Sequence, residues 1–450
     1  MSSRPVAAII LAAGKGTRMK SSLHKVLHPV GGQPMLRGLV GELTKLKLEK
    51  TVIIVGAGAE SVRAEMEGDG TAFAYQREQL GTAHAAAQAE EELKDFVGDV
   101  LVCFGDVPLL KSETVSRMQQ RLAADDGPAC VVLGFRPDDA KSYGRILASE
   151  DGTIEKMVEY KDASEEERAA KLCNAGPVMV RGEELFALLS RIDNENAQGE
   201  YYLPDLVTIA GQDRRTSAVV EAPEREVTGV NDRVDLAFAE KLWQQDRREA
   251  MMRAGVTLRD PESVYFSWDT DIASDVVIEP NVVFGPGVKI ESGATIRAHS
   301  HLEGAHVGEN CDVGPFARLR PGAVMKAGAK VGNFVEMKKS TLGEGAKANH
   351  LTYLGDATIG AGANVGAGTI TCNYDGFFKY QTVIGEGAFI GSNSSLVAPV
   401  NIGAGAIVGA GSVVTKDVEA GALAVARGQQ NEREGWAERF RAVQQKKKAG

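Results

Sequence analysis

Two groups of residues in this 450-residue sequence have the types and spacing to do chemistry. The first starts at Leu11-Ala12-Ala13-Gly14-Lys15-Gly16-Thr17-Arg18-Met19, at the end of an apolar run over residues 6–11. A strand that delivers a glycine-rich loop into a helix presents backbone N–H groups to phosphates. The spacing is neither that of a Walker loop nor the three-glycine dinucleotide fingerprint, so the loop alone is a weak sign. Arg18 and Lys25 stand close behind it, as a site for a triphosphate requires. Asp106 lies in Gly105-Asp106-Val107-Pro108, just after the apolar run 100–104. Ligands of open α/β sheets bind at the C-terminal ends of parallel strands, although capping the next turn accounts for Asp106 equally well.

The second group is a polar cluster in the last third: Arg318 and Arg320, Asn333, Glu336-Met337-Lys338-Lys339, His350-Leu351-Thr352-Tyr353 and Asn364. It closes on Cys372-Asn373-Tyr374-Asp375-Gly376-Phe377-Phe378-Lys379-Tyr380, an aromatic, polar insertion.

Different elements must position the two groups. Apolar runs at 6–11, 51–55, 100–104, 129–135 and 177–180 predict buried strands with helical stretches between them, a doubly wound α/β fold. Around the second group the sequence repeats every six residues. Phe266, Ile272, Ile278, Phe284, Ile290, Ile296 and Leu302 are six apart, and so are Ile384, Ile390, Leu396, Ile402, Val408 and Val414. A period of six suits side chains that alternate across a strand, with turns at fixed offsets. It is the signature of a parallel β-helix, whose rungs bury their anchors by stacking. About nine coils spaced ~4.8 Å apart would form a prism roughly 40–45 Å long, beginning near Ser263. Its regular faces hold no pocket, so function is expected where the register slips, from Arg318 to Tyr380.

The totals set the remaining limits. The length predicts two domains: an α/β domain over 1–230, a helical arm over 231–254, and the β-helix with a basic tail over 255–450. Asn231 or Asp232 caps the arm and Gly255 ends it. A net charge of −10 argues against nucleic acid, which needs a basic face. The five cysteines are scattered and form no CxxC pair, as expected of free thiols in a reducing compartment. There is no signal-peptide pattern and no run of 18 apolar residues, so a cytoplasmic protein without a membrane partner is expected.

The residues now reach a family. Leu11 to Met19 with Lys25, Gln76-x-x-Gln79-Leu80-Gly81-Thr82 and Gly105-Asp106-Val107-Pro108 resemble the sugar-phosphate nucleotidylyltransferases. Tyr143-Gly144-Arg145, Val158-Glu159-Tyr160-Lys161-Asp162, Asn174-Ala175-Gly176 and Gly229-Val230-Asn231-Asp232 extend the match. In the second half Arg318-Leu319-Arg320-Pro321-Gly322, Asn333 to Lys339, His350 to Asp356 and Gly366 to Gly376 do the same. Over nearly its whole length the chain resembles the bifunctional N-acetylglucosamine-1-phosphate uridylyltransferases/glucosamine-1-phosphate acetyltransferases.

That resemblance implies a left-handed β-helix, a hand that periodicity does not set. It implies acetylation of glucosamine-1-phosphate by acetyl-CoA, then uridylylation of the product by UTP, feeding peptidoglycan and lipopolysaccharide precursors. In the first half it places Leu11, Ala12, Ala13, Gly14 and Lys25 on UTP, with Gln76, Gly81 and Thr82 reading the uracil. Gly144, Glu159 and Asn174 would hold the sugar, Asp106 and Asn231 would hold Mg²⁺, and Arg18 and Lys25 would be the catalytic cations. In the second half His350 would be the general base, supported by Glu336. An imidazole suits that task because it titrates near neutral pH. Arg320, Lys338, Tyr353 and Asn364 would bind the sugar phosphate, and Ala367, Asn373, Tyr374, Ser392, Ala410 and Arg427 the acetyl-CoA. The resemblance further implies a homotrimer with acetyl sites at subunit boundaries. Phe104 departs from the tyrosine that relatives commonly carry, so this chain has no hydroxyl there.

Two rival readings are an enzyme with one activity and a regulatory β-helix, and a non-catalytic scaffold. The cluster around His350 speaks against the first. Arg18, Lys25, Asp106 and Asn231 speak against the second.

Overall fold

The computed structural model describes residues 4–68, 70–140 and 142–449. The chain forms two compact units, Met1–Arg247 and Arg248–Gly450.

The first unit is built on β1 (Val6–Leu11), whose first five residues are buried. An uninterrupted apolar strand needs cover on both faces. Ala8 and Ile10 pack with Leu36, Leu39 and Leu43 on one side, and Ala7 and Ile9 with Leu93, Leu185 and Leu206 on the other. The sheet continues with β2 (Lys50–Val55), β3 (Thr71–Tyr75), β4 (Asp99–Phe104) and β5 (Cys130–Phe135). A hairpin of β6 (Arg145–Ala148) and β7 (Ile154–Val158) follows, then β8 (Cys173–Arg181) and β9 (Ser217–Glu221). Strand order is β9-β5-β8-β4-β1-β2-β3, with the hairpin attached to β8.

β1 runs parallel to both β2 and β4, but β8 is antiparallel to β4 and β5. The sheet is therefore Rossmann-like but mixed. The apolar run at 177–180 is only the second half of β8 and carries no sign of direction. The other half, from Cys173 to Gly176, shifts register against β5 and carries polar groups. The short β3, the hairpin and β9 were not legible as apolar runs, since each is partly exposed.

A helix runs from Arg233 to Arg253. Asp232 caps it, its Oδ1 accepting from the backbone N–H of Val234 at 2.8 Å and Asp235 at 3.0 Å. These donors hold the Asp232 carboxyl below its usual range. Leu236, Leu242 and Trp243 pack with Val30, Met35, Leu109 and Val230, while Val234 and Phe238 stay exposed.

Among its described residues the second unit holds three parallel sheets of ten, eight and eight strands, followed by a helix over Trp436–Ala449. Val277 pairs with Thr295, eighteen residues on, which is three hexads to a coil. Every hexad anchor from Phe266 to Leu302 and from Ile384 to Val414 is buried, Ile272 being the most exposed at 7%. The helix begins earlier than Ser263, because Thr257–Leu258 already pairs with Val277–Ile278. The short turn Pro261–Ser263 separates Leu258 from the later anchors and hides that first rung from a count by six.

The slip in the middle has a simple cause. Glu336 pairs with Tyr353 and Lys347 with Asn364, each seventeen residues on, so these coils drop one residue at a corner. The next coil, from Ile370 to Ser395, takes in the insertion. At one corner Phe316, Phe334 and Leu351 adopt φ of +55°, +57° and +49°, unusual for bulky residues. The rings of His299, Phe316 and Phe334 stack there at centroid distances of 4.8 and 5.2 Å, with Phe316, Phe334 and Leu351 exposed.

Candidate active sites

In the first unit β1 and β4 are in register, Leu11 opposite Phe104, so the glycine loop and Gly105-Asp106 leave the sheet side by side. Gly105 N–H donates to Leu11 O at 3.0 Å. The Asp106 carbonyl accepts from Val230 N–H at 2.8 Å, which brings Asn231 to the same place. The Lys25 ammonium donates to Asp106 Oδ2 at 2.5 Å and to Asn231 Oδ1 at 3.0 Å, and Arg18 Nη2 donates to Asn231 Oδ1 at 2.8 Å. Gly16, at φ +58°, is required: a Cβ there would lie 2.6 Å from Lys25 Cβ. Arg233 was not singled out in the sequence. It donates to Met19 O at 3.3 Å and meets His28 Nδ1 at 3.2 Å, fixing the far side of the loop.

Beside the loop, Gln79 Nε2 donates to Ala13 O at 2.5 Å. Gln76 is 5% exposed, and its amide donates to Gly81 O at 3.0 Å and lies 3.1 Å from His84 Nδ1. Gly81 has φ +117°, and a Cβ on it would strike Tyr201 O at 2.4 Å. The Thr82 hydroxyl accepts from Leu203 N–H at 2.9 Å. Leu11 is half-buried, Ala12 and Ala13 are buried, and nothing lies within 4 Å of a Cβ built on Gly14.

Gly144, Glu159 and Asn174 also converge. Asn174 N–H donates to Gly144 O at 2.9 Å, and a Cβ on Gly144 would lie 3.2 Å from Glu159 Oε1. Asn174 Oδ1 accepts from Gly176 N–H at 2.8 Å, and the Phe104 ring covers Gly176, 2.7 Å from where a Cβ would be. Glu159 lines a cleft of about 310 Å³ with Asp162, Asp193 and Asp205. Burial, then the charges of Asp205 and Asp162, push the Glu159 carboxyl up. Burial, then Asp193 and Asp162, push Asp205 up to about 6.

The donor set at Asp106 and Asn231 fits a divalent cation. Among the described residues no three His, Cys, Asp or Glu side chains gather for a metal. Two hard oxygens nevertheless converge on the single positive centre of Lys25. Two protein oxygens suit an ion such as Mg²⁺, which keeps water and substrate phosphates as its other ligands.

In the second unit the site is a column. Asn333 and His350 are register partners in successive coils, and Asn333 Oδ1 lies 2.7 Å from His350 Nδ1. With that oxygen as acceptor, Nδ1 carries the proton and Nε2 is the free base. The column continues through Ala367, Ser392 and Ala410. The carbonyls of Asn333, His350, Ala367 and Ser392 accept in turn from the N–H groups of Leu351, Gly368, Asn393 and Gly411. Arg427 Nη1 donates to Ala410 O at 2.6 Å.

On the neighbouring face Arg318, Glu336, Tyr353 and Ile370 share one register. Arg320 Nη1 donates to Glu336 Oε1 at 2.7 Å, so Glu336 is engaged by Arg320, and the group that holds His350 is Asn333. The Lys338 ammonium is pushed below its usual range by Lys379 first and then Arg320. Arg320, Lys338 and Lys379 thus gather near the one carboxylate of Glu336, a charge arrangement that can receive a phosphate dianion. Lys379 was legible only as part of the insertion.

Asn364 lies between Lys347 and Phe389 in the sheet that carries Asn333 and His350. Asn373 is buried, its amide donating to Asp356 Oδ2 at 2.5 Å. It pins the insertion, which Tyr380 N–H closes onto Asn373 O at 2.9 Å. Tyr374, Phe377 and Phe378 remain exposed, Phe377 at 85%.

Comparison with known proteins covers both units. Residues 8–176 match the family model described as a MobA-like NTP transferase domain. Residues 269–304 and 381–416 match the bacterial transferase hexapeptide of six repeats. The gap between the two hexapeptide matches holds shortened coils and the first part of the column, Asn333, His350 and Ala367, while Ser392 and Ala410 fall within the second match. Similar curated proteins include the bifunctional protein GlmU of Rhizorhabdus wittichii, 61% identical over 100% of this chain and 99% of its own length. That of Sphingopyxis alaskensis is 58% identical over 99% and 98%, and that of Agrobacterium fabrum 51% over 98% and 98%.

Proposed function

The chain belongs to the family of bifunctional GlmU proteins, and from that premise we propose how its residues divide the chemistry. It is an enzyme with two activities: it acetylates glucosamine-1-phosphate with acetyl-CoA and transfers UMP from UTP to N-acetylglucosamine-1-phosphate, releasing pyrophosphate. Its first unit is a nucleotidyltransferase fold and its second a left-handed parallel β-helix.

In our reading the first unit performs uridylyl transfer. The sugar-phosphate oxygen forms the new bond to the α-phosphorus as the bond to the β-phosphate oxygen breaks. Such a reaction needs positioning and charge neutralisation rather than a covalent nucleophile. Gln76, Gly81 and Thr82 hold the uracil, Gly144, Glu159 and Asn174 the sugar, and Leu11 to Gly14 the phosphates. Arg18 and Lys25 neutralise the leaving pyrophosphate. Asp106 and Asn231 would hold Mg²⁺, which would supply positive charge to neutralise the phosphates.

Acetyl transfer belongs to the second unit. His350 Nε2 takes a proton from the glucosamine amine as it attacks the thioester carbonyl and returns that proton to the departing sulfur, so the C–S bond breaks and CoA leaves as the thiol. Asn333 fixes the ring. Arg320, Lys338 and Lys379, with Tyr353 and Asn364, bind the sugar phosphate, and Glu336 holds the Arg320 fork beside the base. Acetyl-CoA lies along the column from His350 through Ala367, Ser392 and Ala410 to Arg427, with Asn373 and Tyr374 at its side. The single observation that carries this reading is that column, base at one end and cation at the other.

Hexapeptide repeats favour association through the prism faces, and the exposed aromatic insertion supplies apolar surface for it. We assign a homotrimer with acetyl sites completed by neighbouring copies; a monomer at micromolar concentration by light scattering would contradict it. No described helix is long and apolar enough to cross a membrane, and we place the enzyme in the cytoplasm. The two activities are tested in one assay with glucosamine-1-phosphate, acetyl-CoA, UTP and Mg²⁺, following CoA and pyrophosphate separately. Both are expected, pyrophosphate depending on CoA release; pyrophosphate without any CoA would remove the acetyl assignment.

A further inference from the structure

Asp106 and Asn231 do not stand open to solvent. One nitrogen, Lys25 Nζ, reaches both, at 2.5 and 3.0 Å, and Arg18 takes a second position on the Asn231 oxygen at 2.8 Å. The Lys25 side chain is 11% exposed and that of Asp106 is 26%, so salt screens the pair little. A carboxylate drawn partly out of water needs a counter-charge, and the chain itself supplies one. Gly16 leaves room for the lysine stem to make this approach.

An ammonium and a divalent cation compete for such a carboxylate. A hard ion sits roughly 2.0–2.6 Å from its ligand oxygens, so an ammonium on the same oxygens would be a close like charge and is repelled. We propose that Lys25 is the built-in counter-ion of the Asp106–Asn231 pair. The divalent cation displaces it, and the nucleotide phosphates take up the displaced ammonium. This rests on the reading of Asp106 and Asn231 as the metal pair.

The consequence is an order of binding. Metal alone breaks the Lys25–Asp106 ion pair and leaves the ammonium without an anion. Metal together with UTP exchanges one anionic partner of Lys25 for another. Lys25 therefore couples the two ligands through the protein, beyond their direct chelation, and the coupling is reciprocal. Without nucleotide the lysine holds metal affinity down.

Mn²⁺ binding to the nucleotide-free, full-length protein, read by the EPR signal of free Mn²⁺, tests this directly. Lys25→Ala and Lys25→Met are expected to bind Mn²⁺ tighter than the wild type by about tenfold, an ordinary coupling. Lys25→Arg keeps a cation and should stay near the wild type. Adding Asp106→Ala to Lys25→Ala should remove the gain. Wild-type or weaker affinity in both neutral variants overturns the displacement. A gain that survives Asp106→Ala fails the metal-pair reading itself, and the proposal with it. A second measurement needs no variant: Mg²⁺ alone should increase acetylation of the Lys25 amine by acetic anhydride, read by peptide mass spectrometry. An unchanged extent of labelling counts against displacement.

Discussion

The two units assemble their polar groups in opposite ways. In the α/β unit Arg18, Lys25, Asp106 and Asn231 meet although more than 200 residues separate the first from the last. They meet because three chain segments emerge at one end of a sheet, and each needs its own loop geometry. In the β-helix, Asn333, His350, Ala367, Ser392 and Ala410 are one corner of successive coils. Position there is inherited from register, so a residue added or dropped moves everything in its coil. The sheet makes a site by closing long loops; the solenoid makes one by departing from its own repeat.

The sharpest test of this separation is a pair of variants. Lys25→Ala should lower uridylyl transfer by about 10²–10³-fold, as loss of a charge-stabilising donor does, and spare acetyl transfer. His350→Ala should lower acetyl transfer by about 10²–10⁴-fold, the worth of a general base, and spare pyrophosphate release from supplied N-acetylglucosamine-1-phosphate. Parallel loss of both activities in either variant would break the comparison.

Asn333→Ala refines it within the column. A freed imidazole is expected to cost up to about 100-fold in acetyl kcat, with the KM for glucosamine-1-phosphate nearly unchanged. Glu336→Ala, which frees Arg320, should act mainly on that KM. The reverse pattern would give Glu336 the supporting role beside His350.

Register makes a prediction for stability. A Cβ on Gly332 would lie 1.9 Å from the Asn349 carbonyl oxygen, backbone that can hardly yield. Gly332→Ala should therefore destabilise the β-helix by roughly 1–3 kcal/mol and disturb the adjacent His350. Gly14→Ala, with nothing within 4 Å, should leave thermal unfolding unchanged. Equal melting temperatures for the two variants would refute the tight coil.

The smallest effect concerns Asp205, pushed up to about 6 by burial and then by Asp193 and Asp162. The folded chain holds this proton more tightly than the unfolded one, where an aspartate titrates near 4. Between about pH 4 and 6 the folded state binds more protons, so this group's contribution to stability falls as pH rises through that window. Asp205→Asn should remove the fall. Its melting temperature relative to the wild type should rise between pH 4.5 and 7, and a constant difference would refute the cause.

Much of both sites was legible because chemistry and punctuation coincide. Gly16 precedes Arg18 and Lys25, and Asp106 follows an apolar run, so residue type and strand end point the same way. The solenoid was legible because six-residue anchors have no other use. Asn333 and Lys379 were visible only as polar residues near a broken repeat, since their partners are a coil or an insertion away. The direction of β8 was invisible because a half-apolar strand reads alike either way.

Residue order alone determined the two element types, the loop that can face phosphates and the place where the repeat fails. Each follows from short-range pattern: side-chain period, turn residues and apolar runs. Only the tertiary structure decided which oxygen the Lys25 ammonium rests on, that Asn333 holds His350 while Glu336 holds Arg320, and that the column runs to Arg427. Those are contacts between segments brought together by sheet pairing and coil register, and no local pattern records them.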